Sequence, residues 1–210
     1  MRYKLVVFDF DGTLADSFPW FLGAVDGMAD RHGIRRIDAS EVDTLRGLDA
    51  RRIMARLKVP MWKVPFIARD MHRRMADDID QIRLFEGIAP MLKQLAERGV
   101  TVAILTSNSA ENVRKILGDD EMAYISHFLC GTSLFGKGAK LKRLLKQVPV
   151  SPAEVLCVGD EIRDIEAARA AGLPCGAVAW GYTTLEALQA HAPDELFLTP
   201  QAMAERLLAG

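Results

Sequence analysis

The run from Lys4 to Phe8 is short, apolar and rich in β-branched residues, and it constrains the fold more than any other stretch of the chain. A strand half-exposed to water alternates apolar and polar side chains; one apolar throughout belongs inside a parallel sheet covered on both faces. Similar runs recur at Thr101 to Leu105, Glu154 to Val158 and Cys175 to Ala179, with weaker ones at Ile125 to Cys130 and Glu195 to Leu198. Helical patterns separate them. Ile88, Met91, Leu92 and Leu95 repeat at helix spacing before a stop at Gly99, and Asn108 or Ser109 can cap a helix carrying Val113, Ile116 and Leu117 up to Gly118. Ile162, Ile165, Ala168 and Arg169 continue the style to Gly172. Alternation of this kind predicts an α/β fold, a doubly wound Rossmann-like parallel sheet whose ligands sit at the carboxyl ends of its strands.

From Phe18 to about Ile82 the strand-like runs vanish. Phe21, Leu22, Val25, Met28 and Ala29 lead to Gly33 at helical spacing; Ser40 with Asp43 suggests a capping box, and Pro65 opens a further helix through Ile67, Met71 and Met75. We read an α/β core at residues 1–16 and 86–210, interrupted by an inserted α-helical cap domain at 17–85 whose junctions are candidate hinges.

Charge excludes some classes of function. The 27 basic and 28 acidic residues leave a net charge of −1, so no global field draws the chain to nucleic acid or to an anionic membrane. The N-terminal apolar run breaks at Asp9 and Asp11, too soon for a signal peptide or a membrane span, and a cytoplasmic location is the default expectation. Cys130, Cys157 and Cys175 sit among apolar or small residues without a CxxC pair and read as reduced packing residues. Trp20, Trp62 and Trp180 read as packing residues too, and Trp180 to Tyr182 as a possible crevice rim. No feature of the sequence fixes an oligomeric state.

The chemistry gathers where the strands end. After the first strand, Asp9 and Asp11 project to the same side of an extended backbone, and two carboxylates in one crevice suit a hard divalent cation such as Mg²⁺. Gly12 lets the backbone turn sharply and Thr13 can hold that turn; the bland alternative for such a motif is an Asx turn. The second strand leads to Thr106, Ser107 and Asn108, whose hydroxyl and helix-terminal amides suit phosphate oxygens. The stretch from Leu134 to Lys140 sets Lys137 between glycines, with Lys140 as a second candidate cation. The fourth strand runs into Gly159, Asp160, Glu161, Ile162, Arg163 and Asp164, bringing further carboxylates, with helix capping as the structural alternative for Asp164.

These motifs, DxDGT, a strand ending in Thr or Ser, a Lys and GDxxxD, occur in the order found in the haloacid dehalogenase (HAD) superfamily, which the chain resembles over nearly its whole length. The phosphoglycolate phosphatase-like members with a helical cap are the nearest likeness. The resemblance implies a phosphomonoester hydrolase acting on a small-molecule phosphate ester, with Asp9 as nucleophile and metal ligand and Asp11 as general acid and base and a ligand through its carbonyl. It implies that Ser107 binds the phosphoryl group, Lys137 offsets charge, and Asp160 completes the Mg²⁺ site with Asp164 in support. Gly12, Thr13 and Asn108 join Ser107 and Lys137 in the substrate site. Arg46, in a cap loop, can meet a substrate carboxylate or remain a solvated charge.

Other members of the superfamily run different chemistry. Haloacid dehalogenases attack carbon and lack an acid at the second motif position, which here is Asp11; phosphosugar mutases use cap-hinge acid/base chemistry, typically involving His, where this chain reads Asp16 to Phe21 without one. A non-catalytic binding module would be free to lose some of these groups, and none is missing.

Overall fold

The computed structural model describes residues 2–133 and 136–209. Six parallel strands form one sheet: β1 (Leu5–Phe8), β2 (Thr101–Leu105), β3 (His127–Leu129), β4 (Val155–Gly159), β5 (Cys175–Val178) and β6 (Glu195–Phe197), in the order β3-β2-β1-β4-β5-β6. Every side chain of β1 and of β4 is buried, as their uniformly apolar sequences require.

Alternate side chains serve two cores. Val6 and Phe8 of β1, with Val102, Ile104, Leu156 and Val158, meet one helical layer; Leu5 and Val7, with Ala103, Leu105, Val155 and Cys157, meet the other. The first layer holds α5 (Ile88–Glu97), α6 (Ala110–Met122) and α10 (Pro200–Leu208), contributing Leu92, Val113 and Met203 among others. The second holds α7 (Lys137–Leu145), α8 (Ile162–Ala170) and α9 (Leu185–Ala190), through Leu141, Leu144, Ile165 and Leu188. Each fully buried aliphatic or aromatic side chain contributes about 1.5–3 kcal/mol relative to exposure, so these two layers carry most of the stabilisation.

Between β1 and β2 the chain forms α1 (Phe18–His32), α2 (Val42–Arg46), α3 (Ala50–Arg56) and α4 (Val64–Asp77), with no strand among them. The two crossings between sheet and helices run side by side: Ala15 bridges Leu84 in antiparallel fashion, Asp16 N donates to Arg83 O at 2.8 Å and Phe85 N to Leu14 O at 2.9 Å. Arg31, His32, Arg69 and Arg73 surround the Asp70 carboxylate, His32 Nε2 at 3.1 Å, and so join α1 to α4.

Three local expectations change. The capping box is Asp38 with Glu41, because Asp38 has the extended backbone from which its carboxylate reaches Ser40 N at 2.8 Å. Gly118 kinks α6 without ending it, its φ of 81° breaking the helix before the chain resumes to Met122. Trp62 is 68% exposed, its ring edge-on to Phe66, and does not pack in a core. Ser109, of the two candidates, caps α6 by accepting from Asn112 N at 3.1 Å. Cys157 and Cys175 are buried free thiols and Cys130 is half-buried. No helix among the described residues is long and apolar enough to cross a membrane.

Candidate active site

The strand order reverses at β1, which lies between β2 and β4; crevices at such switch points, beyond the carboxyl ends of the strands, are where open parallel sheets bind ligands. Asp9 follows β1 and Asp160 follows β4 at that point. Asp9 is 5% exposed and Asp160 fully buried. Together with Asp164, they offer carboxylate oxygens that all lie within 4.8 Å of one another.

Each carboxylate is held by the turn that carries it. Asp9 Oδ1 accepts from Phe10 N at 2.7 Å, and its other oxygen pairs with Lys137 Nζ. Asp160 accepts from Thr13 Oγ1 and from Tyr182 N, both at 2.8 Å, so the first and last crevice loops converge on it. Gly12, at φ 75°, is forced by this closeness: a methyl there would stand 2.3 Å from Asp160 Oδ2. Gly181 is constrained alike, its added methyl 2.3 Å from Asp160 Cβ. Asp164 accepts from Glu161 N at 3.1 Å as part of the α8 capping box and from Lys137 Nζ at 2.5 Å. Both readings of Asp164, cap and site residue, describe the same side chain.

Burial sets the charges. It pushes the Asp9 carboxyl up to about 7, against the pull of Lys137, and pushes Asp160 well above the ordinary range, with Glu161, Asp9 and Asp164 adding to the effect. Burial alone would raise Asp164 as well, but Lys137 and Arg163 outweigh it and hold that carboxyl below its usual value. Lys137, which burial would neutralise, is kept protonated by Asp164 and Asp9. Lys140 does not compete for this place: its ammonium donates to Cys130 O at 2.7 Å. Of the lysine segment, Leu134 and Phe135 lie outside the described residues.

Asp11 points elsewhere. Its two oxygens accept from Asn108 Nδ2 at 3.2 and 3.0 Å, and burial raises its pKa against hydrogen bonds from Asn108 and Ser17. Asn108 is fixed in turn: its Oδ1 accepts from Ser109 N at 2.7 Å and Asn112 Nδ2 at 3.2 Å, while its amide also approaches Met75 Sδ at 3.1 Å. Asp11, Ser107 and Asn108 line a cavity of about 370 Å³ that extends under α1, α3 and α4 and is walled mostly by aliphatic side chains such as Ile53, Met54 and Ile67. Tyr182 and Arg46 line it too; of the expected rim segment Trp180 to Tyr182, Tyr182 alone lines the cavity, while Trp180 packs against the core and donates its indole N–H to Thr13 O at 3.2 Å. Arg46 engages all three guanidinium nitrogens, with Tyr182 O and Gly181 O at 3.1 Å each and Asp43 at 3.4 Å, and stacks over Phe18.

The structure therefore gathers Asp9, Asp160, Asp164 and Lys137 in one buried cluster and Asp11, Asn108 and Ser107 beside it on the cavity wall, with Gly12 and Thr13 bracing Asp160. Two contributors had no sequence signal. The Tyr182 amide bonds Asp160 through the main chain, which any residue type supplies, and the Tyr182 hydroxyl meets Ser17 Oγ at 3.1 Å across 165 residues.

An all-oxygen donor set of buried carboxylates matches the ligand preference of Mg²⁺, and mutual repulsion among Asp9, Asp160 and Asp164 is what a cation in their midst would relieve. The comparisons with known proteins agree with this geometry. Residues 6–178 match the family model described as haloacid dehalogenase-like hydrolase. The chain is 34% identical to a phosphoglycolate phosphatase of Synechococcus elongatus, covering 96% of each chain, and 29% identical to an N-acetylmuramic acid 6-phosphate phosphatase of Pseudomonas aeruginosa, covering 91% of this chain and 88% of that one. Its fold superposes on a haloacid dehalogenase-like hydrolase of Streptococcus pneumoniae with a TM-score of 0.78 at 20% identity, covering 98% of each. The chain belongs to the haloacid dehalogenase-like hydrolases, among their phosphatases.

Proposed function

We propose that the chain hydrolyses a small phosphate monoester of the phosphoglycolate kind, with Mg²⁺, through a phosphoryl group carried transiently on Asp9. The observation that carries this reading is the pairing of Lys137 with both Asp9 and Asp164 beside Asp160, a buried group of three carboxylates and one cation that suits a carboxylate nucleophile held next to a metal site.

Asp9, Asp160 and the Asp11 main-chain carbonyl would hold the cation, with Asp164 in support. When bound, Mg²⁺ neutralises charge on the transferring phosphoryl oxygens and on the attacking carboxylate. The residues perform the rest. Lys137 pulls the Asp9 carboxyl down against its burial, favouring the ionised nucleophile, and offsets phosphoryl charge. Ser107 Oγ and the amides opening α6 face the phosphoryl group. Asp11, with its carboxyl raised by burial and its orientation fixed by Asn108, holds a proton for the departing alkoxide. After departure the same carboxylate takes a proton from water, which attacks phosphorus and frees Asp9. Bond formation from Asp9 to phosphorus and cleavage of the ester bond thus balance in the first step, and water replaces Asp9 in the second.

Residues 17–85 act in this reading as a cap hinged at the paired crossings near Ala15 and Leu84. Arg46 holds that cap against the core through Gly181 and Tyr182; taking a substrate carboxylate would require it to release one of those carbonyls. The test is phosphate release from a panel of small esters, phosphoglycolate and sugar phosphates among them, with Mg²⁺ and with EDTA. Metal-dependent turnover of at least one ester supports the proposal; metal-independent turnover overturns it.

A further inference from the structure

The cavity beside Asp11 has two unlike walls. Its floor, built from the loops that follow β1, β2, β4 and β5, is polar and carries Asp11, Ser107, Asn108 and Tyr182. Its roof, built from residues 18–75, is aliphatic and aromatic, with Phe21, Leu45, Ile53, Met54 and Ile67 among its side chains. At about 370 Å³ the space falls within the usual size of small-molecule pockets, about 300–1,000 Å³, and is larger than a phosphoryl group needs.

Three polar side chains interrupt the roof, and none offers a free charge to a ligand. Arg46 has all three guanidinium nitrogens engaged, by Gly181 O, Tyr182 O and Asp43. Asp49 caps α3 by accepting from Arg52 N at 2.9 Å, and it pairs with the Arg52 guanidinium at 3.3 Å. Burial lowers the pKa of the His72 imidazole, which therefore stands neutral at pH 7. On the floor, Arg163 pairs with Glu161, and its remaining nitrogens are buried.

Continuity with the floor says what fills the space. Asp11 is the group that meets the leaving oxygen, and it lines the same cavity as the roof, so the departing alcohol lies between them. A charged alcohol would lose its hydration there and meet no free partner, whereas an apolar one exchanges water for aliphatic contact.

We infer that the space under α1, α3 and α4 is a binding site for an uncharged, apolar leaving group, so that the substrates extend beyond small acid esters to phosphate monoesters of alcohols with an aliphatic or aromatic body. This rests on the phosphatase reading of the floor and adds a substrate class set by the roof.

Steady-state kinetics with Mg²⁺ on ethyl, butyl and hexyl phosphate test it, since the three leaving alcohols are nearly equal in acidity and differ in apolar length. Each added methylene raises kcat/KM roughly two- to fourfold, about 20- to 200-fold from ethyl to hexyl, chiefly through KM because the chain is bound alike in ground and transition states. The phosphate ester of 6-hydroxyhexanoate, as long as the hexyl ester but ending in a carboxylate, falls at least tenfold below it. Ala68→Phe, which fills part of the roof, flattens the series. A flat or falling series in wild type, an acid-ended ester as good as hexyl phosphate, or an unchanged slope in Ala68→Phe overturns the inference; the wild-type comparisons decide if the variant folds poorly. Calorimetry with 1-octanol, which carries no phosphate, separates this inference from the phosphatase reading. Binding with a negative heat-capacity change supports the apolar site and absence of binding overturns it, while a wild type that hydrolyses no ester refutes the phosphatase reading alone.

Discussion

Replacing Lys137 with Met isolates the electrostatic logic of the site. The lysine is 5% exposed and its ammonium pairs with both Asp9 and Asp164, so the change leaves two carboxylates facing each other in a buried space beside Asp160. Breaking a buried pair by removing one partner typically costs about 3–5 kcal/mol. For a chain of 210 residues, each kcal/mol moves the melting temperature by about 2–4 °C, so metal-free Lys137→Met melts roughly 6–20 °C below wild type at pH 8. The loss shrinks at pH 5, because Asp9, already pushed up to about 7 in the wild type, rises further without its cation and takes a proton instead of standing charged. The assay is thermal unfolding in EDTA at pH 5 and pH 8, followed by circular dichroism. A melting point within 2 °C of wild type at pH 8, or a loss of equal size at both pH values, would refute the reasoning that this lysine balances a buried excess of negative charge.

Further consequences follow from the same contacts. In metal-free wild type, Asp9 binds a proton in the folded state up to about pH 7 but gives it up near its ordinary value of 3.8 when unfolded, so stability falls as pH rises from about 4 to 7, and saturating Mg²⁺ flattens that slope; a stability that rises across this window in EDTA would contradict it. Gly12→Ala drives a methyl to 2.3 Å from Asp160 Oδ2 at a positive φ and weakens Mg²⁺ binding at least tenfold by calorimetry, whereas unchanged affinity would mean that Asp160 is not a ligand. Asn108→Ala frees the Asp11 carboxyl and lowers kcat by about 10- to 100-fold, with less effect for leaving groups that depart without a proton, such as p-nitrophenolate; equal losses for all esters would count against Asp11 as the acid.

How much was legible in the sequence depends on whether a group acts through its side chain or through the path of the backbone. The wholly apolar Leu5 to Phe8 run reads as an inner parallel strand, and the ends of three such strands point to the crevice, so the placement of Asp9 and Asp160 there and of Ser107 on the cavity wall was readable from pattern. Lys137 over Lys140 was not, because only two residues of helix separate a buried ammonium on Asp9 from one bonded to Cys130 O, and the packing of α7 decides between them. Arg163 was visible as a letter in the GDxxxD motif but not as a buried donor without a partner among the described residues, which depends on how α8 packs. The Tyr182 amide gave no signal, since main-chain donors are common to nearly all residues. Asp38 took the capping role expected of Ser40 because both are good N-caps two residues apart and backbone conformation chose.

The central claim is that Asp9 carries the phosphoryl group with Mg²⁺ beside it, and beryllofluoride, which mimics a phosphoryl group on a carboxylate, tests it most directly. Fluorine NMR of the folded protein is predicted to show bound beryllofluoride in wild type only when Mg²⁺ is present, and none in Asp9→Asn under the same conditions; a bound signal in Asp9→Asn, or in wild type with EDTA, would contradict the assignment of the nucleophile and of the metal site together.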